Sequence, residues 1–107
     1  MATRRKKTAL HRPNPTWDAD LRELRVGELV VKRFRQPAWN QVRVLASFEE
    51  LRWPRRIDDP LTGNLGIEPK RRLRDTVFAL NRNHATANVL VFGADGTGTG
   101  IIWNWCV

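Results

Sequence analysis

Few residues of this chain could act as acids, bases, nucleophiles or metal ligands. Asp58 and Asp59 are adjacent, but acids beside Pro60 usually shape a turn, and no third ligand lies near them. Ser47 is the one serine and has no histidine at the spacing of a nucleophile and its base. The single cysteine, Cys106, permits no internal disulfide. We therefore expect no catalytic residues, no metal site and no cofactor.

The chemistry that the composition favours is the recognition of negative charge. Nineteen Lys and Arg oppose eleven Asp and Glu, which gives a formal net charge of +8. This excess favours a polyanion such as nucleic acid, although ribosome-associated and membrane-surface proteins share it. No apolar run approaches the roughly 18 to 20 residues that span a bilayer, and the first ten residues lack the apolar core of a signal peptide. A cytoplasmic protein without a membrane segment is expected.

The cationic residues are concentrated in two segments. Residues 1–15 contain no acid, so we expect a disordered basic arm that either solubilises the chain or lies along phosphates. Residues 70–82 contain five cations and one acid, where a solvated basic face is the alternative to a binding surface. The residues predicted to contact nucleic acid are Lys70, Arg71, Arg72, Arg74, Asn81 and Arg82 in the second segment, and Arg4, Arg5, Lys6 and Lys7 in the arm.

The second basic segment has the periodicity of a helix with two faces. Pro69 suits the first helical position, and Leu73, Val77 and Leu80, with Thr76 beside them, predict an inward stripe. Phe78 is central on the opposite face, where it either touches thymine methyls or sugars or packs beneath the following hairpin. A lone phenylalanine more often packs in the protein interior, so we expect Phe78 to pack beneath the hairpin. The outward face consists of Arg71, Arg74, Asp75, Phe78 and Arg82.

A glycine-rich segment follows this helix and predicts a hairpin. Val89–Phe92 and Ile101–Trp105 flank the tip at residues 93–100. The tip joins strand to strand and lacks GK[ST], so it does not match a phosphate-binding loop that opens a helix. Its one charge, Asp95, argues against strong electrostatic contact with phosphate at the tip.

The elements before the basic helix must supply the core on which it packs. Three short antiparallel strands are expected up to Trp17, over Leu21–Val26 and over Leu29–Phe34, with coil as the alternative for the first. A helix should then open at Gln36-Pro37 and stop at Pro54. The residues expected on its core face are Val44, Leu45, Phe48 and Leu51.

Residues 54–69 are rich in proline and glycine and predict a loop. One short helical turn is expected within it, at Ile57–Leu61. The chain also has five tryptophans, which could form a stacking platform for single strands but are expected to share a core: Trp17, Trp39, Trp53, Trp103 and Trp105.

This order of elements has a familiar pattern. It resembles the winged-helix effector domain of OmpR/PhoB-type response regulators over about residues 15 to 105, at the level of pattern and without a receiver domain. The family's opening is echoed in WDADLRELRVGELVVKRF, its recognition helix is similar to KRRLRDTVFALNRN, and its terminal hairpin is similar to VLVFGADGTGTGIIWNW. The segment PRRIDDPLTGNLG leaves room for barely a turn where the family has its second helix.

The resemblance implies an α+β fold over residues 16–107. That fold is a winged helix with N-terminal antiparallel strands, two to three helices and a C-terminal β-hairpin wing. By resemblance, Arg71, Arg74 and Arg82 face outward into the major groove and the wing approaches the backbone. We expect a regulatory, duplex-DNA-binding protein associated with the nucleoid. The alternatives are a protein–protein interaction module of the same fold and an RNA-binding protein; the sequence leaves the target and oligomeric state open.

Overall fold

The structure, a computed structural model, describes residues 13–61 and 68–106. The predicted α+β class is confirmed, and neither helix within these ranges is long and apolar enough to cross a membrane. In chain order the elements are β1 (Pro15–Asp18), β2 (Glu23–Val26), β3 (Leu29–Arg33), α1 (Trp39–Glu50), β4 (Arg56–Asp58), α2 (Pro69–Leu80), β5 (Leu90–Ala94) and β6 (Gly100–Trp105).

The first three strands form an antiparallel sheet in the order β1-β2-β3, which confirms the three predicted strands. Gly27 has a φ of 61° and closes the tight turn between β2 and β3. A shift of register between Leu24 and Arg25 interrupts the alternation, so that Glu23 and Leu24 are both buried. The sheet starts at Pro15, which is buried. Pro15 is the last residue of the segment predicted to be the disordered basic arm, so the folded domain starts one residue earlier than predicted.

The second sheet is antiparallel in the order β4-β6-β5, and it confirms the predicted hairpin. The helical turn expected at Ile57–Leu61 is wrong, because β4 pairs with β6 and sets Ile57 opposite Ile101. Ile57 is buried between the exposed Arg56 and Asp58, which is the period of a strand. A three-residue alternation is too short to be recognised without its partner strand.

The apolar face of α1 is confirmed at Val44, Leu45 and Phe48, which are all buried. The helix begins at Trp39, so Pro37 precedes it and does not open it. Trp39 is 85% exposed, which contradicts the expectation that all tryptophans pack in the core. Its place in the first turn of α1 lies outside the buried stripe.

The end of α1 also differs from expectation. The helix ends at Glu50, and Leu51 is 59% exposed, so its assignment to the core face is wrong. Arg52 and Trp53 then adopt φ angles of 64° and 61°, which turn the chain before Pro54 is reached. The turn places the Trp53 indole parallel to the Phe48 ring, with 5.0 Å between the ring centroids.

An aromatic cluster joins α1 to the second sheet. Phe48 lies 6.0 Å from Phe92, and Trp53 meets Trp103 edge-on at 6.0 Å between centroids. Each such pair contributes about 0.5–1.5 kcal/mol beyond the burial of its surface. These contacts anchor the hairpin on α1.

One carboxylate links the first sheet to the same cluster. Glu49 Oε1 accepts a hydrogen bond from the Trp17 backbone N–H at 2.7 Å and another from the Trp53 indole N–H at 2.9 Å. Hydrogen bonds to a charged acceptor are stronger than neutral ones. Glu49 thereby fixes β1 against the end of α1.

Replacing Glu49 by alanine should lower the free energy of unfolding by about 2–4 kcal/mol, because two donors lose a charged acceptor. Urea unfolding followed by tryptophan fluorescence measures the change. The matched control is Glu50→Ala, which removes an exposed carboxylate from the next position of the helix. Equal losses of stability in the two variants would contradict the role assigned to Glu49.

Candidate nucleic-acid interface

Helix α2 begins where the sequence predicts. Pro69 occupies the first turn, and the Glu68 side chain caps the helix by accepting from the Lys70 backbone N–H at 3.2 Å. A carboxylate at this end also complements the positive end of the helix dipole. The helix then runs to Leu80, with Asn81 as its C-terminal cap.

The inward stripe of α2 is confirmed. Leu73, Thr76 and Leu80 are buried, and Val77 is partly buried against the core. The Thr76 hydroxyl donates to the carbonyl of Arg72 at 2.8 Å, one turn earlier, so its polar atom is satisfied within the helix. This side of α2 is committed to the core.

A buried lysine holds the C-terminal end of α2, and the sequence analysis missed it. Lys32 of β3 is 5% exposed, and its ammonium donates to the carbonyls of Ala79 at 2.7 Å and Arg82 at 2.6 Å. The Ala79 carbonyl lies at the negative end of the helix dipole and also accepts from the Arg82 N–H at 3.2 Å, and the Arg82 carbonyl lies just beyond the helix. Burial, and secondarily the positive charge of Arg82, lower the pKa of Lys32.

The turn after α2 is bound to the edge of the first sheet. The Ala85 N–H donates to the Val31 carbonyl at 2.7 Å, and the Thr86 hydroxyl donates to the Val30 carbonyl at 2.8 Å. The sheet therefore holds both the end of α2 and the chain that leaves it. These contacts set the direction in which the other face of α2 points.

That other face is cationic and exposed, as predicted. We name it the arginine face, and it consists of Arg71, Arg74, Asp75, Phe78 and Arg82, all exposed. Arg71 Nε lies 3.8 Å from Asp75 Oδ2, a pair in which both side chains are about two-thirds exposed. Such a pair contributes about 0.3–0.5 kcal/mol and leaves Arg71 available. Within residues 13–61 and 68–106, no ion pair holds Arg74 or Arg82.

Phe78 does not pack beneath the hairpin, so that expectation is wrong. Its side chain is 63% exposed, and the guanidinium of Arg82 lies over the ring at 5.4 Å from the centroid. The hairpin meets the C-terminal end of α2 through Asn81 and does not cover the Phe78 ring. The centre of the arginine face is therefore an accessible aromatic ring.

Arg72 does not belong to this surface, although it was expected to contact a nucleic-acid backbone. It is 6% exposed, its Nη2 donates to the Leu61 carbonyl, and the Asp59 carboxylate lies 3.8 Å away. Its position is one residue before Leu73, so the long side chain lies along the core side of the helix. Its role is to hold Asp59 and Leu61 against α2.

Asn81 is also committed inside the domain, which removes it as a reader of bases. Its Nδ2 donates to the Phe92 carbonyl at 2.8 Å, and its Oδ1 accepts from the Phe92 N–H at 2.8 Å. The side chain thus pairs with β5 as another strand would. Sequence reasoning could not find this bond, since an asparagine after a basic helix is equally typical of a cap, a base contact and a turn.

The hairpin tip lies beside the start of α2. The aliphatic part of the exposed Lys70 lies so close to Gly98 that a Cβ built there would be 2.7 Å from Lys70 Cε. Gly98 also has a φ of 84°, which glycine adopts readily. Lys70 therefore supplies positive charge where the arginine face and the tip meet.

The acid of the tip is compensated by an arginine. Asp95 accepts from the backbone N–H and hydroxyl of Thr97 at 2.9 and 2.7 Å, and from Arg56 Nε at 2.6 Å. The Thr97 hydroxyl and then Arg56 hold the pKa of Asp95 well below its usual range. The charge of Asp95 is thus paired with Arg56 of β4, and it does not oppose phosphate as an isolated acid would.

Arg4, Arg5, Lys6 and Lys7 lie outside the described residues. In the part of the chain that the structure describes, no group of three or more His, Cys, Asp and Glu side chains could hold a metal ion.

Comparisons of the chain with protein-family models, with curated proteins and with solved structures find no match. The residues that the structure does bring together are Lys70 and the arginine face around Phe78, with the hairpin tip beside them.

The Asp95 contacts predict a dependence of stability on acid. Because its pKa is lower in the folded chain than in the unfolded chain, Asp95 stabilises the fold at neutral pH, and this contribution is lost as the pH falls below about 4. The difference in unfolding free energy between the wild type and Asp95→Asn should therefore shrink from pH 7 to pH 2. Guanidinium unfolding at a series of pH values measures it.

Thr97→Ala tests whether the hydrogen bond from the Thr97 hydroxyl causes the lowered pKa of Asp95. Removing the hydroxyl should raise the pKa of Asp95 in the folded chain towards its unfolded value, so the acid-dependent loss of stability becomes smaller and is complete at a higher pH. An Asp95→Asn difference that is identical at pH 7 and pH 2 would contradict the account.

Proposed function

We propose that this chain is a winged-helix protein that binds duplex DNA, with α2 as its recognition helix. The observation that carries the proposal is the division of α2 into a buried apolar side and an exposed side with three arginines against one aspartate. The wing would be the hairpin of β5 and β6. The sheet order β4-β6-β5 supports this topology, because it sets the strand between the two helices beside the last strand of the hairpin.

The dimensions of α2 suit a DNA major groove. Twelve residues give a helix about 18 Å long and, with side chains, about 10–12 Å wide, against a groove width of about 12 Å. Arg71 and Arg82 lie near opposite ends of the arginine face, so both can reach phosphates while the centre of the face meets base edges. Arginine suits this role because its planar group binds phosphate through two N–H bonds.

Preorganisation supports the same proposal. Lys32 holds the carbonyl end of α2, and Asn81 ties the helix to β5. A helix already fixed in place loses little conformational freedom when it binds, so more of the contact energy appears as affinity. The position of Lys70 beside Gly98 brings the proposed wing close enough to contact the same stretch of backbone.

Replacing Arg71, Arg74 and Arg82 together by alanine should abolish most duplex binding at low salt. The slope of log affinity against log salt should become shallower by up to about 2.7, since each lost phosphate contact removes about 0.9. Fluorescence anisotropy with a labelled random 24-base-pair duplex, across a salt series, measures both quantities. A double-strand competitor and a structured RNA competitor in the same assay distinguish DNA from RNA as the partner.

The matched control replaces Arg35, Arg43 and Arg52, three exposed arginines outside α2. Both triple variants lose the same net charge, so a general electrostatic attraction would weaken equally in the two. Equal weakening, or unchanged binding in the α2 variant, would overturn the proposal.

A second candidate function is the binding of a protein partner, and Trp39 is the observation that favours it. The side chain is 85% exposed and borders a cavity of about 370 Å³ with Pro37 and Val42. Exposed tryptophans of this kind are frequent anchors of protein interfaces. Under the DNA-binding proposal, Trp39→Ala leaves duplex affinity unchanged; a wild-type chain that binds no duplex at low salt would favour the second candidate.

A further inference from the structure

We propose that Phe78 reads thymine by contacting its 5-methyl group in the major groove. This inference rests on the proposed binding of duplex DNA, and it assigns base preference to one side chain. Its first support is the exposure of the ring. Of the described residues, six large hydrophobic side chains are exposed, and Phe78 is the one on α2: Leu21, Leu29, Trp39, Leu51, Phe78 and Val91.

The second support is the position of Phe78 within the arginine face. Arg74 lies one helical turn before it and Arg71 two turns before it, while Arg82 lies one turn after it. If these guanidinium groups contact the phosphates on either side of the groove, the ring between them points at base edges. The helix thus presents one apolar ring within a row of cations.

The contact with Arg82 keeps the ring in this place. The guanidinium lies 5.4 Å from the ring centroid, a cation–π distance, and so one face of the ring is occupied within the domain. The remaining face and edge account for the 63% exposure of the side chain. This contact favours one orientation of the exposed ring.

The chemistry of the groove then selects the base. In the major groove, thymine alone among the four bases presents a methyl group, and apolar side chains recognise it. An uncharged protein partner over Phe78 would also have to cover three guanidinium groups, whose desolvation is costly. Duplex DNA offers both phosphates for the arginines and a thymine methyl group for Phe78, so it fits the arginine face better than an uncharged protein does.

Two probes that differ in this one group test the inference. They are 24-base-pair duplexes of alternating A and T, and of alternating A and U, with identical phosphates and deoxyriboses. The full-length wild type should bind the thymine duplex about three to five times more tightly, the gain expected from removing one methyl group from water. In Phe78→Ala the ratio of the two affinities should fall to about 1.

Two further variants serve as controls. Leu51→Ala removes a similarly exposed apolar side chain from the end of α1 and should retain the thymine preference. Arg74→Ala should weaken binding to both duplexes and leave their ratio unchanged. A second pair of duplexes, with cytosine or 5-methylcytosine, tests the methyl group itself: the wild type should prefer the methylated duplex.

The outcomes separate this inference from the proposed function. Binding of both alternating duplexes with equal affinity overturns the thymine contact and leaves DNA binding in place. A thymine preference that persists in Phe78→Ala overturns the assignment to Phe78. If the wild type binds neither duplex at low salt, the proposed function itself fails.

Discussion

The buried ammonium of Lys32 is the interaction on which the proposed interface depends. It is the point where the first sheet holds the carbonyl end of α2, through Ala79 and Arg82. Burying a lysine is costly, and two carbonyls at the negative end of a helix offset that cost. Because this end is fixed, the apolar side of α2 stays in the core, and the arginine face stays in solvent.

The hairpin and α2 form one unit through contacts at both ends of the helix. Asn81 bonds to the backbone of Phe92 near the C-terminal end, and Lys70 lies against Gly98 near the N-terminal end. The pairing of Asp95 with Arg56 removes the one acid that made the tip an unfavourable neighbour of phosphate. The helix and the tip are therefore electrostatically compatible, which their sequences alone did not indicate.

Local patterns were enough to predict the elements that carry the proposed interface. Pro69 and the helical spacing of Leu73 and Leu80 located α2, and the glycine-rich tip located the hairpin. The roles of Arg72 and Asn81 could not be predicted in this way. The bonds of these two residues are to the Leu61 and Phe92 backbones, and a sequence does not show which distant carbonyl a cation or an amide will meet.

The central claim is that the outer side of α2 is where DNA binds, and backbone NMR tests it most directly. Titrating a short duplex into the labelled full-length chain should shift the amide signals around Arg71, Arg74, Phe78 and Arg82. It should also shift those of the hairpin tip, and leave β1 and β2 unchanged. Shifts centred on Trp39 and the first turn of α1, with α2 unaffected, would contradict the account.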